Sequence, residues 1–164
     1  MSNFSIATRD FTGKRIQVDI NRPFEEVLKP LHALVGRAAI DKWSAASPEE
    51  FIEEIKATVG ESDFMLFQQI DHGAWLSKFK IKTKLVRRIF GNPLIARTML
   101  EHDHRAGLFV PVELLLLEQE PDLTCSIIYV LPPSLIATAT NPALLSSAQV
   151  LDAKVEALVR RVAV

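Results

Sequence analysis

Ile89-Phe90-Gly91-Asn92-Pro93 is the stretch that decides how this chain is read: an apolar, strand-like run stops at a glycine, and an Asn-Pro pair opens a helix. Gly91 can take φ > 0 at little cost, the side-chain oxygen of Asn92 can cap a helix, and Pro93 suits the first helical position, where its missing N–H is not needed. Strand, turn and helix therefore meet at one point. If function lies near this turn, other strand ends must converge on it.

Upstream, Leu85 to Phe90 reads as extended and is preceded by Lys78-Phe-Lys-Ile-Lys-Thr-Lys84, in which lysines alternate with other residues. Phe64 to Ile70 is a further strand that leads into Asp71-His72-Gly73. Downstream, Val112 to Leu117 is apolar on both faces, as expected of a central strand, and Glu118 to Asp122 forms a short turn toward Leu123 to Val130. Two runs joined this closely predict a hairpin. Lys14 to Ile20 alternates, with Ile16, Val18 and Ile20 on one face, which predicts a half-buried strand.

Helical spacing appears in three further places. Phe24, Val27, Leu28, Leu31 and Leu34 follow Pro23, and Pro30 within them predicts a kink or two short helices. Ser47-Pro48-Glu49-Glu50 has the form of a capping box before the stripe Phe51, Ile52, Ile55 and Val59. Leu144, Ala148, Leu151, Val155, Leu158 and Val162 follow Asn141-Pro142 and predict a long amphipathic C-terminal helix. Strand, helices, several strands and a helix, without strict β-α alternation, predict an α+β fold: a mostly antiparallel sheet with helices packed on one side.

The chain has 164 residues, enough for one well-buried core, and residues 1–164 read as a single domain. Nineteen basic residues balance twenty acidic ones, so no overall basic field recruits nucleic acid. The single Cys125 excludes an intramolecular disulfide and reads as a small core residue. Met1 to Asp10 lacks the charged-then-apolar order of a signal peptide, and the run Val110 to Leu117 is far too short to span a bilayer, so a cytoplasmic location is the expectation.

Three segments together resemble a known family. Phe67-Gln-Gln-Ile-Asp71-His72 resembles a strand ending in Ile-Asp-His, Phe90-Gly-Asn-Pro93 resembles a Phe-Gly-Asn-Pro turn, and Gly107-Leu-Phe-Val-Pro111 with Val112 to Glu118 resembles a Leu-Pro-containing strand, all characteristic of the domain of unknown function 302 family. The resemblance implies a sheet packed on a long C-terminal helix, similar to TATA-binding-protein-like folds and often dimeric, with no established activity. Family members often carry a cysteine before Asn-Pro or after Leu-Pro; Gly91 and Val112 stand there in this chain, which argues against a thiol-based role. Residues 38–47 read as an insertion. The resemblance also places a short helix near Gly73 to Phe79, ahead of the strand.

Asp71-His72 with His102-Asp103-His104 is the cluster suited to acid/base or metal chemistry, and His72, His102 and His104 are the candidate ligands of a metal-assisted enzyme. The preferred reading makes the histidine pair a helix C-terminal feature, where imidazole favours the dipole, and implies no metal or other cofactor. The Lys78 to Arg88 basic run could bind a phosphate-bearing partner, yet it also suits a solvated edge strand whose lysines prevent aggregation, so nucleic acid is not expected. No Gly-x-Ser-x-Gly elbow or glycine-rich phosphate loop occurs. The leading expectation is a non-catalytic domain that binds a small apolar or anionic ligand, with Asp71, His72, Asn92 and Tyr129 near one end of the sheet. A homodimer is expected, and the stripe from Leu144 to Val162 is its candidate contact.

Overall fold

The computed structural model describes residues 4–122 and 124–164. The predicted strand start at Leu123 and the first three residues of the Met1 to Asp10 segment lie outside the described residues. Six strands, β1 (Arg15–Ile20), β2 (Gly36–Arg37), β3 (Met65–Asp71), β4 (Leu85–Gly91), β5 (Val112–Gln119) and β6 (Thr124–Val130), form one sheet in the order β1-β6-β5-β4-β3-β2. All neighbours are antiparallel except the short β2, which runs parallel to β3. This is the expected α+β class.

The hairpin and the central strand are where the apolar runs put them. β5 pairs with β6 from Leu115 opposite Ile128 to Gln119 opposite Thr124, and with β4 on its other side. Val86, Phe90, Leu114, Leu116 and Ile127 share one face and are buried there. Over this face lie α1 (Phe24–Leu34) and the long α6 (Pro142–Ala163), which contact each other. The predicted stripe of α6, from Leu144 to Val162, is buried in this core. Burying six or seven such side chains, each worth about 1.5–3 kcal/mol, fixes the helix on the sheet.

Three helices begin as their caps dictate. Ser47 accepts from the backbone N–H of Glu50 while Glu50 reaches back to the Ser47 N–H, so α2 (Pro48–Thr58) has its capping box. Asn92 opens α4 (Pro93–Leu100) and Asn141 opens α6, each with proline next and each accepting a backbone N–H two or three residues on.

Two expectations need correction. α1 is one continuous helix with Pro30 inside it. Its buried residues Phe24, Val27, Leu31 and Leu34 lie on both sides of the proline, and their burial offsets the single hydrogen bond that Pro30 lacks. The short helix expected near Gly73 to Phe79 is present as α3 (His72–Leu76) and a 3-10 turn, Ser77–Phe79, but the strand does not follow at once: Lys80 adopts φ 64 and extension resumes only at Leu85. Since β3 ends at Asp71 opposite Val86, no strand is available to pair with residues 80–84 on that side. The short α5 (Pro132–Ile136) was not legible in the sequence pattern.

Candidate functional site

β4 delivers Gly91 to the end of the sheet, where a cavity of about 300 Å³ opens beside the Gly91-Asn92-Pro93 turn. Gly91 does not use a positive φ, and none of the described glycines does. A Cβ there would meet Cβ of Pro111 tightly, at 3.2 Å, and Cε2 of Phe67 at an ordinary contact distance of 3.5 Å. Asn92 is fully committed to structure: its Oδ1 accepts from the Leu94 N–H at 2.8 Å and its Nδ2 donates to the Asp63 carbonyl at 3.0 Å. The expected capping chemistry is therefore present, with an added tie to the turn before β3.

The walls of the cavity come from several separate parts of the chain. Successive turns of α4 supply Ile95, Ala96 and Met99, the start of β5 supplies Pro111 and Val112, and α6 supplies Leu151. Helical spacing makes the α4 contribution one face. The remaining wall is Trp43, from a 3-10 helix over Ile40–Ala45, which meets Phe51 and Phe67 edge-on with ring centroids 5.5 and 5.9 Å away. Its indole N–H is buried with no hydrogen-bond partner. No titratable side chain lines the cavity, so it suits binding better than acid/base chemistry.

The four candidate residues do not converge. Asp71 pairs with Val86 and Gly91 with Met65, so Asp71-His72 and Asn92 sit at opposite ends of β4, about 17 Å apart at 3.3 Å per residue. Asp71 caps α3 by accepting from the Ala74 N–H, and His72 Nδ1 accepts from the Trp75 indole N–H at 3.2 Å. Tyr129 is buried on the helix-facing side of β6, in a separate groove with Asp152 and Glu156 of α6, where burial first and those carboxylates second push its phenol up. Of the four, only Asn92 lines the cavity.

His102 and His104 lie just beyond α4, whereas His72 belongs to the far end of the sheet. The alternative metal set of His72, His102 and His104 is thus not assembled, and no cluster of three or more metal-type ligands occurs among the described residues. Asp103 between the two histidines caps the 3-10 helix His104–Leu108 and forks onto Arg105, whose hydrogen bonds lower its carboxyl pKa to about 2. The basic run is also divided. Lys84 pairs with Glu118 and Arg87 with Glu113, while Arg88 turns into the core. Trp43 was missed because its segment read as an insertion, although a tryptophan eight residues before Phe51 is a large apolar group in need of cover.

The domain described as "Domain of unknown function DUF302" matches residues 40–162. The chain belongs to this family. A DUF302 member, an uncharacterized conserved protein from Bacillus stearothermophilus known from its crystal structure, superposes with a TM-score of 0.64 at 20% identity, covering 90% of this chain and 96% of that one. At that identity the likeness concerns the fold. No curated protein matches the chain. The DUF302 match begins at Ile40, so the Trp43 wall of the cavity falls inside it. No helix among the described residues is long and apolar enough to cross a membrane.

Proposed function

We propose that this protein binds a small, mainly apolar molecule in the cavity at the Gly91-Asn92-Pro93 turn and does not itself act on it chemically. The observation that carries this reading is the cavity: about 300 Å³, at the lower end of the range for ligand sites, walled by aliphatic and aromatic side chains. The α6 stripe was the candidate contact for a homodimer. Those side chains are packed inside the chain's own core, so they are not free to contact a partner.

Binding of 2-ethylnaphthalene, an apolar ring system, tests the reading. In a Trp75→Phe background, quenching of Trp43 fluorescence should saturate with this probe. Ala96→Leu, which places a larger side chain in the α4 wall, should abolish saturation. Equal, non-saturating quenching with and without Ala96→Leu would sink the proposal.

A further inference from the structure

Arg88 is the anomaly of the core. It is 2% exposed, its Nη1 is buried without a hydrogen-bond partner, and no carboxylate pairs with it among the described residues. Burial alone draws its pKa down to about 10. Buried polar groups are almost always satisfied, and a buried ion without a counter-charge is strongly unfavourable, so a missing partner is the natural explanation.

Its position frames a site. Arg88 projects from the helix-facing side of β4, between Gln69 of β3 and Leu114 of β5. His32 lies in the last turn of α1, and Arg37 of β2 pairs with Leu66, which in turn faces Phe90, two residues along from Arg88. The imidazolium of His32 is disfavoured by burial first and then by the charges of Arg88 and Arg37, opposed by Glu25. Glu25 itself faces Lys84, at 3.8 Å. β2 covers β3 only at Met65 and Leu66, and Gln69, His32 and Arg37 are all exposed, so the edge nearest Arg88 is thinly covered.

We propose that Arg88, framed by His32 and Arg37, is a binding site for a small oxyanion, a carboxylate or phosphate group, that supplies the acceptors the guanidinium lacks. The planar fork of an arginine presents paired N–H donors whose spacing matches two oxygens of either group, which a spherical halide does not offer. Arg37 adds positive charge at the mouth, and a bound anion would offset the charges that disfavour the His32 imidazolium. This site shares no residue with the apolar cavity, and neither depends on the other.

The test uses the full chain in chloride buffer, titrated separately with sodium phosphate and sodium acetate while sodium chloride holds ionic strength constant. Expected is a saturable rise in Tm together with an upward shift of the His32 titration midpoint by NMR, the resonance assigned with His32→Gln. A response to phosphate alone identifies a phosphate-type ligand; equal responses to both show that a carboxylate suffices. Arg88→Met should remove the response, weakening binding at least tenfold, whereas the exposed-site control Arg97→Met should retain it. Should Arg88→Met not fold, the His32 midpoint of the unaltered chain decides: no shift in either anion overturns the proposal, as does an Arg88→Met protein that responds like the original.

Discussion

Replacing Asn92 with alanine removes two interactions at once, and their separate contributions can be worked out. The cap from Oδ1 to the Leu94 N–H, 2.8 Å long, is worth about 1 kcal/mol. The bond from Nδ2 to the Asp63 carbonyl, 3.0 Å long, adds about 1 kcal/mol. Asn92→Ala should therefore cost about 2 kcal/mol and lower Tm by about 4–8 °C for a chain of this size. Asn92→Ser keeps a capping oxygen but is too short to reach Asp63, so it should cost about half as much. Asn92→Asp also keeps the cap, yet turns a carboxylate oxygen toward the Asp63 carbonyl and should be no better than serine. Urea unfolding followed by circular dichroism gives the differences, and amide exchange at Leu94 reports the cap directly. An Asn92→Ala protein within about 0.5 kcal/mol of the original, or serine and alanine of equal cost, would refute the assignment of two roles to this side chain.

Close backbone packing makes a second prediction. A Cβ on Gly36 would lie 1.8 Å from the Thr58 carbonyl oxygen and 2.8 Å from the Gly60 nitrogen, so Gly36→Ala should cost roughly 3 kcal/mol or prevent folding, as judged by urea midpoints. At Gly13 a Cβ meets only side chains of Leu135 and Val130 at 3.6 and 3.7 Å, so Gly13→Ala should be nearly neutral; equal effects at the two sites would contradict the packing. The third concerns Asp152, whose Oδ1 is buried without a partner and whose carboxyl is raised above its ordinary 3.8 by burial first and Glu156 second. The folded state then holds that proton to higher pH than the unfolded chain, so stability is lost as pH rises from 3.8 through the raised value. Asp152→Asn should accordingly be more stable than the original at neutral pH, with the advantage shrinking in acid; a constant difference across pH would argue against it.

Local chemistry was legible in the residues themselves. The Ser47-Glu50 box and the Asn92-Pro93 and Asn141-Pro142 starts are satisfied within three residues of themselves, so they form wherever the chain goes. Alternation in β1 and the four-and-three step of α6 report which side faces a core, and burial follows them. Within the lysine run, residues 80–84 stay out of the sheet because side-chain period 2 is necessary for a strand but does not supply a partner, and β3 has already turned into α3. The candidate site failed for a related reason. Two strand ends near each other in a pattern, Asp71 and Asn92, lie at opposite ends of an antiparallel pair.

By itself, then, the sequence determined the longer strands and helices, their caps, the apolar faces and the family, because each depends on neighbours close along the chain or on motifs in order. Only the tertiary structure decided that Gly91 does not use its dihedral freedom and lies close against Pro111, which approaches it from a distant segment. The same holds for Trp43, brought to the cavity wall, and for Arg88, which belongs to a solvated basic run in the sequence and to an unpaired, buried position in the fold. Burial and partnership are properties of what packs against a side chain, and here those partners are separated by tens of residues.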